Sequence, residues 1–250
     1  MIASSAPAAP AKPDRIGSPQ LTLGVTLTAQ QQIGDFNFSG APALLKTLET
    51  LVRSQHGECL YVYGQAGVGK SHLLQACVLM AQEADADAVF ISGTELLKIP
   101  AQQASECLAG LESVSLLCVD DLDQLIVNLD WAQAWFHLYN QLMQRGGCIV
   151  ASSNSSPRQV DCALEDLRSR LQLANVFQLQ PLNDEACGLM LQAKAKQKGL
   201  ELSDELVAFV LARSARGLPN LLAVLDQLDA ASWHEKRRIT IPFVKQVMRW

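Results

Sequence analysis

"YVYGQAGVGKSHLL" occupies residues 61–74. It starts apolar and aromatic, turns through Gly64, Gly67 and Gly69, and leaves through Lys70 and Ser71 into apolar residues at helical spacing. The eight residues Gly64, Gln65, Ala66, Gly67, Val68, Gly69, Lys70 and Ser71 satisfy the whole G-x-x-x-x-G-K-S pattern between a predicted strand and a predicted helix, the context that gives the pattern meaning. Glycines let the backbone curl until its N–H groups point inward at phosphate oxygens, and a helix starting near Lys70 adds the positive end of its dipole. Lys70 is expected to reach β- and γ-phosphates, the Ser71 hydroxyl to coordinate magnesium, and His72 to follow directly behind them.

Outward from this turn, short apolar runs recur: "CLYVY" at 59–63, "AVFIS" at 88–92, "SLLCVDD" at 115–121, "CIVASS" at 148–153 and "VFQL" at 176–179. Helical patterns lie between them, notably at 71–83 and 131–144, and another precedes the first run at 43–54. Five buried strands alternating with helices predict an α/β domain over 35–181, its parallel five-stranded sheet sandwiched by helices. Beyond Pro181 the pattern is helical only, with starts signalled by Asp184, Ser203 and Thr240 and stops by Gly199 and Gly217, which predicts a small all-helical domain over 182–250. Residues 1–19, rich in Ala, Pro and Ser, read as a flexible tail.

Two further strand ends carry candidate chemistry. "LLCVDD" closes on Asp120 and Asp121, where carboxylates at the carboxyl edge of a parallel sheet can meet magnesium and an attacking water. Asp120 is the magnesium-side candidate and Asp121 the water-side one. "ASSNSSP" places Asn154 where it could bond the γ-phosphate or position the water, although an Asn in such a context is commonly a turn residue.

Composition narrows the function classes. A net charge of -5 and a pI near 5.4 exclude a broad basic face for nucleic acid, so contact with DNA is expected to be indirect or local. The seven cysteines form no CxxC pair and no zinc spacing, and are expected to be small core residues in a reducing cytoplasm. No run approaches the ~20 apolar residues of a membrane span. Trp131 and Trp135, at i and i+4, are expected to pack in the core or an interface, and the basic run Lys236, Arg237 and Arg238 to be a solvated loop.

With these motifs collected, the chain resembles the DnaA/Hda clade of AAA+ ATPases from about Gln20 onward. The resemblance implies a P-loop AAA+ domain followed by a lid, with Gly64 to Ser71 as Walker A, Asp120 and Asp121 as Walker B, and Asn154 at the sensor 1 position. "LEDLRSRL" resembles the segment carrying the arginine finger, which would make Arg170 the group that reaches a neighbour's γ-phosphate; as residues alone, Arg168 and Arg170 read as solvated helix charges. Where the family has a sensor 2 arginine this chain offers Pro219, with Arg216 three residues before it. Either Arg216 substitutes from a shifted position, or the lid does not sense the γ-phosphate. Gln20, Leu21, Leu23 and Val25 resemble the peptide with which bacterial proteins bind the DNA sliding clamp, an extended segment setting alternate apolar side chains into a groove. "DFNF" at 35–38 is expected near the adenine. The chain ends at Trp250 as the lid helices finish, so the DNA-binding domain that follows the lid in DnaA-like initiators is not expected.

The function so implied is regulation of replication initiation. With ADP or ATP and Mg2+ in its cradle and the 20–25 segment on the clamp, such a protein stimulates ATP hydrolysis on the DnaA initiator, touching DNA only through the clamp. Its own turnover is left open, as is homo-oligomerisation. The alternative is an autonomous AAA+ ATPase, such as a helicase loader acting on single-stranded DNA.

Overall fold

Alternation along three central strands decides where everything else lies. In β1 (Cys59–Tyr63), β3 (Leu116–Asp120) and β4 (Cys148–Ser153), side chains point by turns to opposite faces of the sheet. Tyr61, Leu117, Val119, Ile149 and Ala151 enter one apolar core, while Leu60, Val62, Leu116, Cys118, Cys148 and Val150 enter the other. Two cores back to back require helices on both faces, and parallel pairing throughout is what βαβ crossovers produce.

In the computed structural model, which describes residues 42–53, 56–215, 217–235 and 238–250, the strands run in the order β2-β3-β4-β1-β5, with β2 at Ala88–Ser92 and β5 at Asn175–Gln178. On one face lie α1 (Pro42–Arg53) and α2 (Lys70–Glu83), which bury Leu44, Leu48, Leu51, Leu73, Leu74, Cys77 and Val78. The other face is covered by the short helices α3 (Gly93–Leu96), α4 (Ala104–Leu108) and α5 (Leu122–Ile126), by α6 (Leu129–Gln144) and by α7 (Glu165–Gln172). Trp131 and Trp135 on α6 are buried in that core, the packing role expected of them. Asn128 starts α6 by accepting the N–H groups of Asp130 and Trp131 at 3.0 and 3.2 Å.

One expectation needs correcting: the fifth strand is not buried. Asn175, Val176 and Gln178 are exposed and Phe177 is half-buried, because β5 is an edge strand that among the described residues pairs with β1 alone. Apolar content alone could not separate an edge from a centre.

The C-terminal helices α8 (Asp184–Gln197), α9 (Asp204–Arg213), α10 (Leu218–Glu235) and α11 (Ile241–Met248) share a core of their own, built from Leu191, Ala195, Leu206, Val210, Leu221, Leu225, Leu228, Phe243 and Val244. Asn183, Ser203 and Thr240 cap their helices by accepting the N–H groups of Ala186, Leu206 and Phe243. The helices meet the sheet domain along a narrow apolar seam of Ala76 and Met190, flanked by Leu182 and Leu222.

All seven cysteines are free, and burial pushes the thiols of Cys59 and Cys77 up to about 12, so these two are inert core residues. Among the described residues no helix is long and apolar enough to cross a membrane.

Candidate functional site

The glycine turn leaves β1 at the carboxyl edge of the sheet and feeds α2. Gly64 sits so close to the end of β5 that a Cβ there would lie 2.5 Å from the Leu179 carbonyl oxygen. Gly69, the N-cap of α2, holds a φ of 99°, a conformation that side chains resist, and among the described residues no side chain caps the helix. The Lys70 and Ser71 amides at the start of α2 thus face the cavity in front of them.

Lys70 is 6% exposed. Its Nζ donates to the carbonyls of Gly64 at 2.7 Å and Gln65 at 3.2 Å, and to Asn154 Oδ1 at 3.0 Å. The strand order makes the last bond possible. β4 is the direct neighbour of β1 and lies between it and β3, so the residue after β4 faces the glycine turn, with the acids ending β3 beyond it.

The turn carrying Asn154 is held from several sides. The Tyr61 hydroxyl donates to the Ser155 carbonyl at 3.0 Å, the Ser153 hydroxyl donates to the same oxygen at 2.9 Å, and the Ser155 N–H donates to Ser153 Oγ at 3.0 Å. Asn154 itself donates twice to Asp123 Oδ2, from its backbone N–H at 3.2 Å and its Nδ2 at 3.0 Å.

Asp120 is buried, and its Oδ1 accepts the hydroxyl of fully buried Ser152 at 2.5 Å. Ser152 Oγ in turn accepts the Asp121 N–H at 2.9 Å, so one hydroxyl fixes the side chain of one acid and the backbone of the next. Asp121 starts α5 with φ 50° and ψ 46°. Its carboxyl is raised above the usual range by burial, with Asp120 and Asp123 adding to the effect and Lys70 opposing it. Ser152 and Asp123 escaped the sequence reading. A serine closing a buried strand and a third acid in "DDLD" were the visible signals.

A cavity of about 250 Å³ is lined by Gly67, Gly69, Lys70, Ser71, His72, Asp121 and Asn154, together with Ala66 and Gln124. A second, of about 530 Å³, opens between Gln65, Ala66, Gly67 and Val68 on one side and Leu182, Asp184, Leu211, Gly217 and Leu221 of the helical end on the other. The residues present suit a magnesium nucleotide, with helix-start amides and an ammonium for phosphate and the Asp121 carboxylate lining the same cavity as exposed Ser71 for the metal, while Asp120 lies buried behind it against Ser152. Burial, and then Lys194, lower the His72 pKa.

Arg170 is exposed on the last turn of α7 and lines neither cavity. Burial pushes the Tyr139 hydroxyl up to about 12, and Arg170 nearby opposes the rise. Arg168 pairs with Glu165. Pro219 falls in the first turn of α10. Arg216, the 20–25 segment with Gln20, Leu21, Leu23 and Val25, the 1–19 tail, "DFNF" at 35–38, Lys236 and Arg237 lie outside the described residues.

Comparison with known proteins places this architecture. Residues 41–177 match the family described as "Bacterial DnaA ATPase domain", and residues 184–248 match "Hda, lid domain". Domain III of the replication initiation protein DnaA from Thermotoga maritima superposes with a TM-score of 0.74 at 20% identity, covering 89% of this chain and 97% of that one. AMPPCP-bound DnaA from Aquifex aeolicus gives 0.70 at 19% identity, covering 84% and 68%. The Holliday junction branch migration motor RuvB of Thermotoga maritima gives 0.63 at 16%, covering 84% and 69%. At these identities the superpositions show a shared fold. The family match spans more than half the chain, which therefore belongs to the bacterial DnaA ATPase-domain family of replication-associated AAA+ proteins, with a lid of the Hda type.

Proposed function

We propose that the chain is a nucleotide-holding regulator of replication initiation that acts on ATP-bound DnaA from the DNA-loaded sliding clamp. One observation carries the reading: the glycine turn with Lys70, the acids ending β3 and Asn154 converge at one sheet edge, in a chain whose two halves match a DnaA ATPase domain and an Hda lid. In this role the uncapped amides of α2 and Lys70 hold the phosphates of ADP or ATP, Ser71 and Asp120 hold magnesium, and Gln65, Ala66 and Val68 face the remainder of the nucleotide across the wider cleft. Magnesium supplies charge neutralisation along the phosphate tail. Nucleotide sets the shape of the surface that meets DnaA, and Asp121 and Asn154 leave a slow hydrolysis within this chain's own reach.

Arg170 supports the part played in trans. It is exposed and lines neither cavity beside its own glycine turn, so its guanidinium can serve a neighbour's phosphate. The segment Gln20, Leu21, Leu23 and Val25 tethers the chain to the clamp, and through it to DNA.

Reconstitution tests the proposal. The protein is mixed with clamp-loaded DNA and DnaA charged with labelled ATP, and conversion to ADP is followed. Acceleration that depends on the clamp, disappears with Gln20→Ala and Leu21→Ala, and is largely lost with Arg170→Ala is the expected result, since a guanidinium of this kind is worth about 10³-fold or more. No acceleration, with an active Hda control alongside, defeats it.

A further inference from the structure

We infer that Asp123 is the positioning residue that decides which end of the Asn154 amide the phosphate cradle sees, and so sets how the site discriminates a triphosphate from a diphosphate. The inference rests on the nucleotide-binding reading of the cradle.

The argument starts with hydrogen counting. An ammonium has three donors and no acceptor, and all three Lys70 hydrogens are used, on Gly64 O, Gln65 O and Asn154 Oδ1. A phosphate oxygen that engages Lys70 must therefore displace an acceptor. Two of the three are backbone carbonyls of the glycine turn itself. The third belongs to a side chain, and it is the one that can turn away.

Asp123 prevents it from turning. Its Oδ2 takes both the backbone N–H and the Nδ2 hydrogen of Asn154, which pins the amide with nitrogen toward the carboxylate and oxygen toward the ammonium. The reversed amide would set NH2 against NH3⁺ and oxygen against a carboxylate, so chemistry alone fixes the orientation. The other contacts of this turn do not replace the restraint: the bonds from Tyr61 and Ser153 hold the Ser155 backbone, and the Lys70 bond to Asn154 Oδ1 is the one that an arriving phosphate oxygen displaces. Asp123 comes from the first turn of α5 and its other oxygen, Oδ1, is buried with no partner among the described residues, so its carboxylate is committed to Asn154.

With the amide pinned this way, the cradle presents an acceptor beside Lys70 where a terminal phosphate would prefer a donor. Each added phosphate brings more negative charge to an oxygen that cannot rotate. Releasing the amide lets Nδ2 swing toward the phosphate, and a triphosphate gains from that more than a diphosphate does.

The test is isothermal titration of the full chain with ADP and with AMPPCP, both with magnesium. Asp123→Ala is expected to improve AMPPCP affinity relative to ADP by about tenfold, the worth of roughly one charge-assisted hydrogen bond. Asp123→Asn, whose amide oxygen still accepts both hydrogens, should restore the wild-type ratio to within about twofold. In an Asn154→Ala background, Asp123→Ala should leave the ratio unchanged, since the coupling between the two residues is gone. Should the alanine variant fail to fold, Asp123→Leu fills the volume without an acceptor and takes its place. Equal shifts for both nucleotides, Asn behaving like Ala, or a persistent effect without Asn154 each overturn the assignment. Failure of the unaltered chain to bind either nucleotide would instead remove the reading beneath it.

Discussion

Lys70 is a cation kept almost wholly from water, and its three contacts are to neutral oxygens. Such a group is held ready for a stronger acceptor. Lys70→Ala should therefore weaken ADP binding by about 10–100-fold, the range of a hydrogen bond to a charged group, as read by calorimetry. Ser152→Ala removes the hydroxyl joining Asp120 Oδ1 to the Asp121 N–H, both in poorly solvated surroundings. A loss of about 1–3 kcal/mol is expected, or roughly 3–10 °C in the melting temperature of a chain this long. His72 gives a pH signature. Its folded pKa is lowered by burial and then by Lys194, so the unfolded chain binds the proton more readily and stability must fall as pH drops below the ordinary value of 6.5. Denaturation at stepped pH, without nucleotide or magnesium, should show this slope, and His72→Gln should flatten it. Little of this network was legible beforehand. Lys70, Asp120, Asp121 and Asn154 announce themselves by motif, whereas Ser152 and Asp123 matter only because β3 and β4 pair in one register, Val119 opposite Ala151, which brings the two strand ends side by side.

At the scale of the element, the glycine turn is a junction of three strand ends. β1 delivers it, the Gly64 N–H donates to the Ser153 carbonyl of β4 at 3.2 Å, and the Leu179 carbonyl beyond β5 crowds its Cα. Gly64→Ala sets a methyl group against that carbonyl, which can yield only by moving backbone. A destabilisation of about 1–3 kcal/mol is expected, with a parallel loss of nucleotide affinity that a remote core substitution of equal cost would not produce. The central strands were readable in the sequence because burial on both faces demands unbroken apolar residues. β5 was readable as a strand but not as an edge, since its exposure depends on which strand takes the last place beside β1. The short helices α3, α4 and α5 carried too few turns to show a period.

For the whole molecule, the sheet domain rests on two extensive cores and the helical end on one of its own, where Lys198 adds ion pairs to Asp226 and Asp229 at 3.0 and 3.2 Å. Between them lies the small seam of Ala76 and Met190, flanked by Leu182 and Leu222. Units with separate cores and a slight shared boundary need not melt together. Differential scanning calorimetry of the nucleotide-free chain should resolve two heat-absorption peaks, the helical end melting first. Saturating ADP, lodged in the cleft that both units line, should draw the peaks together. Ala76 lies on the same helix whose first turn lines the cavity beside the glycine turn, only a turn and a half beyond Ser71. A nucleotide would then serve as a rivet through a hinge: any tilt of the lid would be felt along a single rigid rod, and the grip on the phosphates would be reported at the far side of the protein as a change of stance.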